Sequence, residues 1–208
     1  MKTVVILDYG IGNVRSIYNA MKKVNANPVL TNKPELIRDA DAVILPGVGA
    51  FAKGMENLKS HHLIEPIHEF THSGKPFMGI CLGMQMLLEE SNEFGTTRGL
   101  GLIEGKVEQL KVNGLRLPHV SWNEIEVPSN HSWSNTILHD IRPASDMYFV
   151  HSFAAYPRNS KDVLSTTTYD AISYCSAVHK DNIYGVQFHP EKSAEYGLRI
   201  LKNFVALN

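Results

Sequence analysis

The chain has 208 residues, of which 43% are hydrophobic and 20% charged, with a formal net charge of −1. At that length one layered domain buries roughly 70% of its unfolded surface, and the near-neutral balance provides no broad basic face for nucleic acid or an anionic membrane. Two cysteines, Cys81 and Cys175, are too few for a disulfide framework, and no apolar run approaches the roughly 20 residues of a membrane helix, so a soluble protein of a reducing, cytoplasmic compartment is expected.

The N-terminal stretch MKTVVILDYGIGN is apolar for about five residues and stops at Asp8, too short for a secretion signal. Short β-rich runs then alternate with helix-like segments: TVVIL at 3–7, a helix over 13–24, DAVILP at 41–46, helical stretches through 52–72 and PFMGI at 76–80. Such alternation predicts βαβ units on a parallel sheet, and continuously apolar strands are expected where helices cover both sheet faces. Between residues 95 and 127 the pattern changes to β-rich pieces broken by glycine and proline, LGLIEGKVEQLKV and GLRLPHVSWNEIEV, which predicts antiparallel strands appended to that sheet. MYFVHSFAAY, VLSTTTY, AISYCSAV and NIYGVQFHP supply further strands, and a helix over 194–205 closes the chain. With no repeat, low-complexity tract or linker, one domain over 1–208 is expected.

The chemistry concentrates at GKPFMGICLGMQMLLEE, residues 74–90. A strand entering a helix through Gly79-Ile80-Cys81-Leu82-Gly83 matches a nucleophile elbow, in which small flanking residues permit a sharp turn that presents the central side chain. The start of the following helix would offer unpaired N–H groups and a positive dipole end, with Leu82 N–H the natural oxyanion donor. A free cysteine is also among the most buried residue types, so this pattern alone leaves a packed thiol equally open. YGVQFHPEKS, residues 184–193, adds His189 as a base and Glu191 two residues on to orient it; in extended geometry the two share a face. LPGVGAF, residues 45–51, places a glycine turn, Gly47-Val48-Gly49, at the end of a parallel strand, where open α/β sheets bind ligands.

Other signals carry less. Arg15 fills the slot where a dinucleotide fingerprint after YGIGN needs its third glycine. His61, His62, His68 and His72 crowd one helical region with no acidic or thiol ligand in register, and read as a solvated face. Cys175, in an alternating strand without a base nearby, reads as structural.

Together GICLGMQ, YGVQFHPEKS and LPGVGAF resemble the class I (triad) glutamine amidotransferases, over nearly the whole chain. Within that family LDYGIGNVRS (7–16), Met84 in CLGMQ, PHVSWN (118–123), YFVHSF (148–153) and KDNIYGVQFHPEKS look like the glutaminase subunits of imidazole glycerol phosphate synthases. The resemblance implies a mostly parallel α/β sheet with flanking helices and an antiparallel β extension, a Cys81-His189-Glu191 triad working through a thioester, and neither cofactor nor metal. By the same resemblance Gly47, Val48, Gly49, Leu82 and Gln85 surround the substrate and its oxyanion, and His151, Ser152 and Phe153 border the same pocket. The implied partner is a (β/α)8 cyclase, joined in a heterodimer, that uses the ammonia to make imidazole glycerol phosphate and AICAR in histidine biosynthesis. Asn13, Arg15, Trp122, Asn123 and Lys180 are the expected docking residues. Two positions depart from the subfamily pattern: Ser121 stands where a glycine is usual, and Phe153 where a tyrosine is frequent. A paralogue that supplies ammonia for surface-sugar amidation, a stand-alone γ-glutamyl or cysteine hydrolase, and a non-catalytic subunit retaining the fold are the alternatives.

Overall fold

The computed structural model describes residues 1–129 and 131–207. The first half runs β1 (Thr3–Leu7), α1 (Val14–Lys23), β2 (Asn27–Thr31), α2 (Pro34–Asp39), β3 (Ala42–Leu45), α3 (Phe51–Ser60), α4 (Ile64–His72), β4 (Phe77–Ile80) and α5 (Leu82–Gln85). The second half runs β5 (Glu90–Ser91), β6 (Thr97–Arg98), β7 (Gly105–Gln109), β8 (His119–Ile125), β9 (Ser145–His151), β10 (Phe153–Pro157), β11 (Val163–Tyr169), β12 (Ile172–Lys180), β13 (Ile183–Val186) and α6 (Ala194–Ala206). β2 and α2 escape the sequence pattern because Pro28 sits inside the strand and Pro34 opens the helix. Both prolines fit locally, Pro28 because β2 is an edge strand and Pro34 because the first helical position needs no N–H partner.

Strands β2, β1, β3, β4 and β13 pair in parallel in that order, and β12, β10 and β7 extend the sheet antiparallel. Alternate residues of the parallel strands enter two separate cores. Val4, Ile6, Ala42, Ile44 and Met78 meet Ile17, Met21, Ile200 and Phe204 of α1 and α6. Val5, Leu7, Val43, Leu45 and Phe77 meet Ile37, Leu58 and Phe70 of α2, α3 and α4. Each fully buried aliphatic side chain contributes about 1.5–3 kcal/mol, so the two-sided burial holds the parallel strands, and the loops at their ends, in place. His62, at φ 55, ends α3 and lets Leu63 N–H reach the Leu58 carbonyl at 2.9 Å, while His72 Nδ1 donates to the His68 carbonyl at 2.6 Å. The histidine-rich stretch is thus spent on helix ends. No helix among the described residues is long and apolar enough to cross a membrane.

One sequence expectation is corrected here. GLRLPHVSWNEIEV does not append to the main sheet: β8 pairs with β9 in a separate two-stranded ribbon, from His119↔His151 to Ile125↔Ser145. A single bridge, Glu126↔Thr166, ties it back to the main sheet. MYFVHSFAAY is accordingly two strands, and the chain crosses from ribbon to main sheet between His151 and Phe153. Alternation within the ribbon is strict, with Val120, Trp122 and Glu124 exposed on one face and His119, Ser121 and Asn123 turned inward.

Candidate active site

The elbow forms as the sequence predicts. Cys81 has φ 55 and ψ −111, a conformation that costs a non-glycine residue about 1–3 kcal/mol, and its N–H is tied to the Val186 carbonyl at 2.7 Å. The flanking glycines are required by close approach. A Cβ on Gly79 would lie 2.6 Å from Gly83 backbone atoms, and one on Gly83 would lie 1.9 Å from the Leu45 carbonyl oxygen. Gly83→Ala is therefore expected to destabilise by about 3 kcal/mol or more, since backbone must move to admit the methyl group. Gly114→Ala, which meets nothing closer than 3.7 Å, should stay within about 0.5 kcal/mol; urea midpoints for the two variants check this contrast.

The helix after the elbow is shorter than its composition suggests. α5 is a single turn, because the Met86, Leu87 and Leu88 carbonyls accept from Leu100, Leu102 and Gly101 instead of extending the helix. A one-turn helix contributes little macrodipole at Cys81. Leu82 is the first residue of that turn, and its N–H has no partner within it.

Cys81 is 6% exposed yet opens onto a cavity of about 370 Å³. Val48, Gly49, Leu82 and Gln85 form one side, and Pro118, Val150, His151, Ser152 and Phe153 the other. Glu93, which the sequence did not single out, is the one carboxylate in the wall, and it also accepts from Phe51 N–H at 2.6 Å at the start of α3. Gly47 lies behind the wall: a Cβ there would sit 2.9 Å from Leu82 Cβ and 3.0 Å from the Tyr9 hydroxyl, so its role is close packing against the elbow. Gly49, at φ 95, takes the turn into the cavity. Tyr9 donates to the Pro46 carbonyl and thereby anchors the turn to the β1–α1 loop.

His189 and Glu191 meet, by a route other than the extended geometry expected. Pro190–Lys192 form a 3-10 turn, and His189 Nδ1 lies 2.9 Å from Glu191 Oε1. The side chains are 3% and 0% exposed. His189 N–H donates to the Tyr148 carbonyl at 2.9 Å, and Ser193 Oγ donates to the His189 carbonyl at 2.7 Å, so the backbone is held on two sides while Glu191 orients the ring. Burial opposes an imidazolium here, but the Cys81 sulfur and the Glu191 carboxylate outweigh it and push His189 up to about 10. His189 Nε2 is buried without a partner, as expected of an atom kept for a transferring proton. Burial, with a Phe153 carbonyl bond opposing and the charges of His119 and His189 assisting, brings His151 down to about 3, so this ring stays neutral beside the cation.

The docking residues divide. Asn13 and Arg15 lie past the carboxyl end of β1, and Trp122, half exposed, stacks edge-on to Tyr148 at 6.1 Å on the outer ribbon face. Asn123 turns inward and donates to the Thr168 carbonyl at 2.9 Å. Lys180 is corrected. The β12–β13 hairpin turns at the amino ends of the parallel strands, where Ile183 pairs with Phe77, and Cys81 follows the opposite end of the same strand. Lys180 thus sits across the sheet from the cavity and donates to the Leu102 carbonyl at 3.3 Å. The cation beside the site is Lys192, exposed, with its ammonium 5.5 Å from the Tyr148 ring centroid. Cys175 is buried, donates to the Ala177 carbonyl at 3.2 Å and has its thiol pushed up by burial.

An elbow cysteine open to a small cavity and beside a buried histidine–glutamate pair, on a mostly parallel sheet, is the arrangement of a cysteine-dependent amide hydrolase. The model of the glutamine amidotransferase class-I family matches residues 5–207, and the chain belongs to that family. It is 46% identical over 213 residues to imidazole glycerol phosphate synthase subunit HisH 1 of Legionella pneumophila, with both chains fully covered. It is 43% identical to the HisH subunit of Geobacter metallireducens, over 98% of each chain. Among solved structures, PurLQS from Thermotoga maritima superposes with a TM-score of 0.74 at 19% identity, covering 99% of both chains, and a glutamine amidotransferase does so at 0.74 and 18%, covering 97% of both. At that identity these two likenesses speak to the fold.

Proposed function

We propose that the whole chain is one glutaminase domain, the glutamine-hydrolysing subunit of an imidazole glycerol phosphate synthase, which passes ammonia to a (β/α)8 cyclase in histidine biosynthesis. The observation that carries this is the buried His189–Glu191 pair at 2.9 Å, raised toward imidazolium by the cavity-facing Cys81. Its support is the family membership and the full-length likeness to HisH subunits.

In this reading the Cys81 proton rests on His189, and the thiolate attacks the side-chain amide carbon of glutamine. His189 protonates the departing ammonia, which leaves a glutamyl thioester, then takes a proton from the water that hydrolyses it. Leu82 N–H and an amide of the 47–49 turn hold the oxyanion, and the Glu93 carboxylate is the natural partner for the substrate's ammonium group. Water would protonate free ammonia to an unreactive ion, so release is useful only into an attached synthase. Glutamate release with and without a purified cyclase, and with a γ-glutamyl peptide in place of glutamine, tests the proposal: a partner-independent peptidase rate would overturn it.

The cyclase docks on the face that carries Asn13, Arg15, Trp122 and Lys192. Arg15→Glu and Trp122→Ala are expected to weaken association roughly tenfold or more, the size of an interface anchor. Lys180→Glu, on the far side of the sheet, should bind as wild type does; titration calorimetry distinguishes these outcomes.

A further inference from the structure

A chain of hydrogen bonds runs from the ribbon to the Cys81 sulfur, and one backbone carbonyl sets the direction of all of it. The Phe153 carbonyl oxygen accepts from Gln85 Nε2 at 2.9 Å and from His151 Nδ1 at 2.8 Å. A carbonyl can only accept, so Gln85 must present its nitrogen there, and the second bond of that nitrogen, 3.0 Å long, ends on Gln187 Oε1. The Gln187 amide is then fixed with its Nε2–H toward Cys81 Sγ, 3.7 Å away. On the other branch His151 carries its proton on Nδ1, which leaves Nε2 to accept from the Tyr174 hydroxyl at 3.1 Å. The Tyr174 oxygen in turn accepts from His119 Nδ1 at 3.1 Å. His119 Nε2 accepts from Ser121 Oγ at 2.8 Å and from the Asn123 amide at 3.4 Å. Both rings are neutral, His119 brought down to about 4 by burial and His151 to about 3, so each has one donor and one acceptor, as the relay requires.

Gln187 is fully buried, and nothing in the triad accounts for a side-chain amide aimed at its nucleophile. We propose that Gln187 is a further catalytic residue, whose amide N–H holds the Cys81 sulfur as a thiolate, and that Tyr174 is a positioning residue acting through His151, Phe153 and Gln85. This rests on the glutaminase reading. In the thiol form the S–H aims at the Val150 carbonyl, 4.0 Å away, so the Gln187 bond gains strength when the sulfur ionises. During the reaction the thiolate forms the C–S bond and ammonia departs with a proton from His189. Water next forms the C–O bond and gives its proton to His189, and the C–S electron pair returns to sulfur, where the Gln187 N–H meets it. Ser121 belongs to the same chain: its hydroxyl fixes the His119 tautomer from the ribbon end, which gives the departure from glycine an inward role.

The titratable groups around the sulfur are His189 and Glu191 from the turn after β13, Tyr9 from the β1–α1 loop, His151 from β9 and Glu93 from the β5–β6 loop in the cavity wall. The test is the pH dependence of Cys81 alkylation by iodoacetamide in the full chain, read by mass spectrometry so that Cys175 is separated, alongside glutaminase kinetics with the cyclase. Gln187→Glu keeps the acceptor for Gln85 but replaces the N–H, and Gln187→Met removes both. Each is expected to raise the alkylation midpoint by roughly one pH unit, the scale of a charge-assisted hydrogen bond. Each should also lower kcat about tenfold with KM within about twofold, as loss of an interaction to the reacting atom predicts. Tyr174→Phe should move the midpoint the same way by less, a shift that a merely structural role would not produce. A folded Gln187→Met chain with the wild-type midpoint overturns the proposal. If neither Gln187 variant folds, Tyr174→Phe decides it, and an unshifted midpoint there overturns it. The two readings fail separately: an unshifted midpoint in a chain that still releases glutamate removes only the role of Gln187. A shifted midpoint in the variants, when the wild-type chain with the cyclase releases no glutamate, supports the contact and overturns the glutaminase reading.

Discussion

Cys81→Ala and Cys81→Ser are expected to abolish glutamine hydrolysis while an ammonium salt still sustains the partner's synthase reaction. Removal of the nucleophile from a triad that acts as a unit costs on the order of 10⁵-fold or more in turnover, with only the oxyanion donors and substrate binding left. The serine variant is no milder, since a hydroxyl beside His189 remains unionised at neutral pH. Neither variant should unfold the chain, because Cys81 is held by its backbone bond to Val186, and alanine and serine differ little from it in volume. The measurement is paired: glutamate release with glutamine, and cyclase product with added ammonium. Equal loss of both reactions would mean that Cys81 supports the fold or the synthase and leaves the amide chemistry to another group.

His189→Ala should lower turnover on the same scale, whereas Glu191→Gln should lower it by about 10²-fold less, because one residue moves the proton and the other orients and stabilises the ring that moves it. The pH profile adds a signed consequence. His189 is pushed up to about 10, so the acid that protonates ammonia persists through neutral pH and is lost only as pH rises through that value. Glu191 is one of the groups that raise it, and loss of its charge therefore shifts the alkaline limb of kcat/KM, which reports the free enzyme, to lower pH. A profile unchanged in Glu191→Gln would show that the 2.9 Å contact does not control the histidine, and near-normal turnover in a folded His189→Ala chain would remove it from the mechanism.

The parallel half of the fold was legible because βαβ units announce themselves by alternation, and the elbow and the histidine–glutamate contact because their residues lie in two short motifs. The remainder depended on contacts distant in sequence. The apolar segment after the elbow scans as a helix, yet the carbonyls of Met86, Leu87 and Leu88 are captured by residues 100–102, a competition no local pattern displays. The ribbon was read as part of the main sheet because alternation identifies a strand without naming its neighbour. Lys180 was misplaced for a similar reason, since a hairpin in the sequence does not say at which end of a sheet it turns. Gln187 is inconspicuous in the sequence because a glutamine in a β run resembles an outward-facing residue. Its burial emerges only when the β12 and ribbon backbones take the N–H groups on either side of it: Gln187 N–H bonds to the Ser176 carbonyl, and His189 N–H to the Tyr148 carbonyl.

The separation of ribbon from sheet also bears on how such a protein can diverge. Cys81, His189 and Glu191 follow parallel strands locked between two cores, where a change of side-chain volume is costly. The ribbon packs its inner face on that sheet, but the exposed side chains of its outer face, Val120 and Trp122, belong to neither core. Selection can therefore redraw the surface offered to a synthase in small steps, while the hydrolytic apparatus is inherited unchanged. Descendants of one ancestral glutaminase could in this way come to serve different acceptors through substitutions a few residues apart on a single strand.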